Sequence, residues 1–167
     1  MHSVFLVVAV GVLAIIAYHD VRTRRIPNAL SLTIATLGLA RIALAPDVLA
    51  GWYTLAAATA TFAGTFVMFR CGIIGGGDAK LIPATTLLIG YRELLDFLFL
   101  MSLCGGALAL VAIALEDLAL PLQRLWRPTH VPISAETDRV RVPPKESTVP
   151  YGLAIATAGM ISLITAK

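Results

Sequence analysis

The chain alternates long apolar runs with short polar breaks. Residues 1–19 contain no Lys, Arg, Asp or Glu, which is enough for one helix. Polar residues follow at Asp20, Arg22, Arg24 and Arg25. Residues 28–45 form a second apolar run, interrupted near its far end by Arg41, whose long stem can snorkel to an interface. Pro46 and Asp47 mark a turn, and residues 48–69 are free of charge over 22 positions. A glycine-rich stretch occupies 71–78. Residues 79–91 are apolar but short, residues 97–115 are apolar again, and residues 116–146 are polar and rich in proline. Residues 147–166 close the pattern. A membrane span needs roughly 20 mostly apolar residues. The pattern therefore predicts an all-α, polytopic membrane protein of six transmembrane helices in a single domain, 1–167, with 116–146 as a polar cytoplasmic loop.

Composition supports that class. The chain has 167 residues, of which 58% are hydrophobic and 14% charged. Soluble domains run at about 45–50% apolar and about 25% charged. These values exclude a soluble globular enzyme, a disordered tail and a nucleic-acid module. Cys71 and Cys104 form no CxxC pair and read as buried thiols, with a disulfide between them left open. A zinc site wants four ligands, often in two close pairs, and none is offered. The reading calls for no metal and no cofactor.

Charge orients the spans. With six spans, one side holds Arg22, Arg24, Arg25, Arg70, Lys80, Arg124, Arg127, Arg139, Arg141 and Lys145. The other side holds Arg92 and Lys167, with Arg41 nearby. The excess of Lys and Arg makes the first side cytoplasmic and puts both termini outside. Positive charge after the first apolar run, rather than before it, marks a retained anchor and not a cleaved signal. The basic balance is met by anionic lipid, without nucleic acid. Trp52, Tyr53 and Tyr91 fall near the outer boundary as interface anchors. The fourth span is short: thirteen residues give only ~20 Å against a core of ~30 Å. Either it borrows residues beyond Tyr91, or it starts below the surface with Asp78 in its first turn.

Most acidic residues lie in turns or in the long loop. Asp20 and Asp78 stand apart, because each sits at the cytoplasmic end of an apolar run. Ionisable groups at membrane depth are costly and are candidates for function. Two carboxyls in one pocket cannot both ionise cheaply, so they share a proton. One can then take a proton from water while the other polarises a peptide carbonyl. Asp78 at a helix start reads as the readier base, and Asp20 at a helix C-terminal end as the readier acid. The plain structural alternative is that Asp20 caps a turn and pairs with Arg22 or Arg24, while Asp78 is an N-cap. Ser31, Ser102 and Ser147 show no triad pattern with His2, His19 or His130. His19 adjoins Asp20 and reads as an interfacial side chain.

Three stretches together carry a resemblance. His19-Asp20-Val21-Arg22 through Arg25-Ile26-Pro27-Asn28 comes first, then Gly75-Gly76-Gly77-Asp78-Ala79-Lys80-Leu81, then Val149-Pro150-Tyr151-Gly152-Leu153-Ala154. In that order they resemble the prepilin peptidases, intramembrane aspartyl peptidases with a GxGD motif. The resemblance implies an endopeptidase of the bacterial inner membrane that cuts the basic leader from prepilins or pseudopilins at the cytoplasmic face. Its catalytic aspartates fall on Asp20 and Asp78, its motif glycines on Gly75 and Gly77, and its following lysine on Lys80. That lysine suits either a charge that tunes Asp78 or a contact with lipid phosphate, and Arg22 stands as a further support residue. Larger members of the family carry a zinc-binding domain associated with N-methylation. This chain starts directly with a span and lacks CxxC, and so resembles the short form found with Flp-type pili. Two alternatives remain: a GxGD peptidase acting on other membrane helices, and a small proton-coupled carrier. A carrier is expected to show an inverted repeat and a midplane site, neither of which is evident here.

Overall fold

The computed structural model describes residues 2–23, 26–125 and 151–165 and contains six helices. These are α1 (His2–Thr23), α2 (Asn28–Leu44), α3 (Val48–Arg70), α4 (Gly76–Ile89), α5 (Leu94–Leu125) and α6 (Tyr151–Thr165). Among the described residues, three segments are long and apolar enough to cross a membrane, Phe5–Thr23, Val48–Arg70 and Leu94–Ala114. Asn28–Leu44 and Tyr151–Thr165 are shorter apolar helices.

The helices form because apolar runs meet polar breaks at the predicted places. Asp47 is more than a turn residue. It caps α3 by accepting from the N–H groups of Leu49 (3.1 Å) and Ala50 (3.2 Å), which satisfies two of the orphan donors of the first turn. Two expectations are corrected. The helix expected to end at 115 continues to Leu125, through ten residues assigned to the polar loop. Glu116 and Asp117 end the apolar run, but Leu, Ala, Gln and Arg beyond them are good helix formers. The rest of that loop, 126–146, lies outside the described residues, as do residues 147–150, Arg24, Arg25 and His130. The second correction concerns the cysteines. Both are free, with Cys71 exposed in the turn that follows α3 and Cys104 half-buried on α5.

Packing places α4 and α6 at the centre. α4 lies against α2, α3 and α6, while α6 lies against α1, α5 and α4. The core runs between them through Leu13, Ile16, Leu81, Leu88, Phe97 and Ile155. Lipid tails are as apolar as leucine, so helices in a bilayer associate through close packing rather than through loss of water. The small residues of α6 serve this purpose: Gly152, Ala154, Ala156, Ala158 and Gly159 are all buried. Gly38 lets α2 approach the backbone of α4, where a Cβ would lie 2.7 Å from the Leu87 carbonyl carbon.

The short α4 is held by its neighbours at two weak points. It does not extend beyond Tyr91: it ends at Ile89, and Gly90 turns the chain with φ of 97°, a conformation that favours glycine. Arg41 does not simply reach outward as predicted. Its guanidinium donates to the Leu88 carbonyl at 2.6 Å, supplying a donor for the last turn of α4. The second weak point is Pro83, inside the helix. Proline has no N–H, so the carbonyl four residues earlier, Ala79, loses its helical partner. Thr65 of α3 brings a donor within reach of it, its hydroxyl lying 3.1 Å from the Ala79 oxygen in a buried contact and 2.9 Å from the Thr61 carbonyl oxygen of its own helix. Thr65→Val keeps the shape and removes that donor. It is expected to cost about 1–2 kcal/mol in detergent-induced unfolding, whereas Thr65→Ser stays near wild type. Equal stability of the two variants would show that the Ala79 carbonyl does not depend on Thr65.

Candidate active site

Asp20 occupies the last turn of α1 and is buried, at 6% exposure. A buried carboxyl needs hydrogen-bond partners, and α6 supplies one. The Leu153 N–H, in the first turn of α6, donates to Asp20 Oδ2 at 2.9 Å. The contact joins positions 133 apart in the chain. It also revises the expected division between acid and base. That argument set Asp20 against the carbonyl end of α1 alone. The N–H end of α6 also faces Asp20 and opposes that effect, so helix position does not assign the roles.

Asp78 lies in the first turn of α4. Gly75 precedes the helix in extended conformation and accepts from the Ala79 N–H at 3.0 Å. The Asp78 side chain folds back over that glycine, where a Cβ on Gly75 would lie 3.1 Å from Asp78 Oδ2. Gly76 lies against the Phe69 ring, and Gly77 against Ile26. Asp78 is partly exposed and within electrostatic reach of Asp20.

Ile26 and two glycines connect the helix ends that bear the two carboxyls. A Cβ at Gly77 would lie 3.2 Å from Ile26 Cβ. A Cβ at Gly152 would lie 2.8 Å from Ile26 Cδ1 and 2.7 Å from Asp20 Cγ. Ile26 therefore packs between α4 and α6, and Gly152 must lack a side chain for Asp20 to sit where it does. Gly152 and Ile26 belong to stretches that the sequence pattern singles out, but their contact with the aspartates is visible only in three dimensions.

The other predicted residues occupy distinct places. Lys80 points to α2, where its Nζ donates to Asn28 Oδ1 at 3.2 Å. Arg22 is exposed, bonded to the Tyr18 hydroxyl at 2.6 Å, with its guanidinium over the Tyr18 ring. His19 meets the same ring edge-on, with centroids 6.2 Å apart. Among the described residues no group of three or more His, Cys, Asp or Glu could hold a metal ion.

A helical chain with apolar segments of spanning length is that of a membrane protein, and it carries a carboxyl in the last turn of α1 and another in the first turn of α4. A sequence model of the type IV leader peptidase family matches residues 7–110, more than half of the chain. The chain belongs to that family, and it is a peptidase of the membrane. Asp20 and Asp78 both fall within the matched region, whereas Gly152 and Leu153 lie beyond it. No curated protein and no solved structure gave a match.

Proposed function

We propose that this chain is an aspartic-type endopeptidase that removes the leader of prepilin-like proteins at the cytoplasmic face of the bacterial inner membrane. The observation that carries this reading is the packing of Ile26 against Gly77, next to Asp78, and against Gly152, next to Asp20, within a chain of the leader peptidase family. In this reading residues 1–167 form one domain of six spans with both termini outside, and the ends of α1, α4 and α6 that carry the site face the cytoplasm. α4 is only about 21 Å long, so its first turn lies where water can enter from that side.

The chemistry follows from two carboxyls and a water. A peptide in a helix keeps its carbonyls in hydrogen bonds, so the junction to be cut must be extended. The glycine backbone at 75–77 allows an extended strand to lie close to Asp78. One carboxylate takes a proton from water, and the water oxygen attacks the peptide carbonyl carbon. The protonated partner donates to the carbonyl oxygen and then, as the C–N bond breaks, a proton passes to the leaving amine. Protons balance over the cycle, and no covalent enzyme intermediate forms.

The test is co-expression of the chain with a Flp-type prepilin, with the leader followed by gel mobility. Cleavage is expected at the leader junction, and a junction of scrambled sequence is expected to stay intact. An uncut prepilin beside well-inserted wild-type chain would remove prepilins of that type as substrate. Equal cutting of native and scrambled junctions would point to a peptidase of broader range.

A further inference from the structure

A groove lies on another face of α4. Residues 78 and 80 are separated by about 200° around a helix, so Asp78 and Lys80 leave α4 on different faces. Asp78 folds back over Gly75, and Lys80 reaches α2. On the Lys80 face, α2 and α3 both pack on α4 but touch each other little. The gap between them is an open groove of about 630 Å³, within the range of about 300–1,000 Å³ usual for small-molecule sites. Its walls include Ala35, Ala58, Phe62 and Leu87, and its polar end is formed by Asn28 and Lys80.

We propose that this groove binds one anionic phospholipid, with the acyl chain between α2 and α3 and the headgroup phosphate on Lys80 and Asn28. Three observations select that occupant. The groove opens on the surface where α2 and α3 expose Leu32, Phe62 and other apolar side chains, so it faces hydrocarbon in a bilayer. The polar partner of Lys80 among the described residues is the neutral Asn28 amide, which leaves a cation at the headgroup level beside a side-chain N–H donor. The groove extends along α2 from Asn28 to Ala35, about 10 Å. That length accommodates part of an acyl chain but not the face of a spanning peptide helix of ~30 Å. The lipid would bridge α2, α3 and α4, the helix that carries Asp78. This inference rests on the membrane location of the chain and not on its peptidase activity.

Native mass spectrometry of the detergent-purified full chain tests it without a cleavage readout. Wild type is expected to retain one phosphatidylglycerol in preference to phosphatidylcholine. Lys80→Gln is expected to weaken phosphatidylglycerol about tenfold, the loss of a charged hydrogen bond, and to leave phosphatidylcholine unchanged. Ala35→Phe fills the groove and is expected to remove both. Thr59→Leu, on the exposed face of α3, fills it from the other wall and serves if Ala35→Phe does not fold. Equal retention of the two lipids in wild type, or retention unchanged by Lys80→Gln or by the filling variants, overturns the proposal. Binding of a synthetic apolar helix of about 20 residues that is lost on filling, while lipid binding persists, assigns the groove to a peptide instead and likewise overturns it.

Discussion

Asp20→Asn and Asp78→Asn are each expected to abolish leader cleavage while the protein remains inserted. Asparagine keeps the size of the side chain but cannot take or give the proton at working pH. Positioned general acid or base groups are worth about 10²–10⁴-fold each. The two act as a unit, so the double variant should be no worse than the single ones within the assay's range. The variants should differ in stability. Asp20 is buried and receives the Leu153 N–H. An asparagine oxygen can still accept that bond, but more weakly than a carboxylate. Asp78 is partly exposed, and its replacement should leave unfolding almost unchanged. Cleavage kinetics and detergent unfolding of each variant check both halves. Full cleavage by a folded Asp78→Asn protein would remove Asp78 from the chemistry.

Gly152→Ala is expected to cause the second largest loss. The added methyl would lie 2.7 Å from Asp20 Cγ and 2.8 Å from Ile26 Cδ1. Ile26 can withdraw its terminal carbon, but Asp20 is enclosed and bonded to the next residue of the same helix. Either α6 moves away from α1 or the carboxyl swings out of place. A displacement of about 1 Å at a catalytic group costs on the order of 10²-fold, and overpacking in a filled interior costs about 1–3 kcal/mol. Gly106→Ala on α5 is the control, since its new methyl meets nothing within 4 Å. That variant should be neutral or slightly stabilised, because alanine is the better helix former. If Gly152→Ala cuts as fast as Gly106→Ala, the contact between α6 and Asp20 does not position the carboxyl for catalysis.

Much of this architecture is legible in the sequence because charges and prolines interrupt apolar runs. Those breaks place α2 and α3 to within one residue, and they put Asp20 and Asp78 at helix ends. Hydropathy alone misplaces the end of α5, because Glu116 and Asp117 are polar yet compatible with a helix. It also sends Arg41 outward, whereas the open carbonyl of Leu88 draws it to α4. The Thr65 contact leaves a trace, since Pro83 demands a donor for Ala79, but nothing local says which helix supplies it. The seat of Asp20 on α6 is still less accessible. It depends on how two helices far apart in the chain meet, and spacing along either one does not encode that. The same holds for the groove beside Lys80, which arises from the separation of α2 and α3.

The hydrogen bond between Leu153 and Asp20 also sets an order of events during synthesis. The ribosome delivers α1 first and α6 last of the six helices, so Asp20 emerges long before the N–H that holds it. Closing so long a loop is slow compared with forming a helix. Until α6 packs against α1 and α4, Asp20 lacks this donor and Ile26 lacks its contact at Gly152. A nascent or truncated chain without α6 thus cannot present the assembled acidic site, even though it already carries both aspartates.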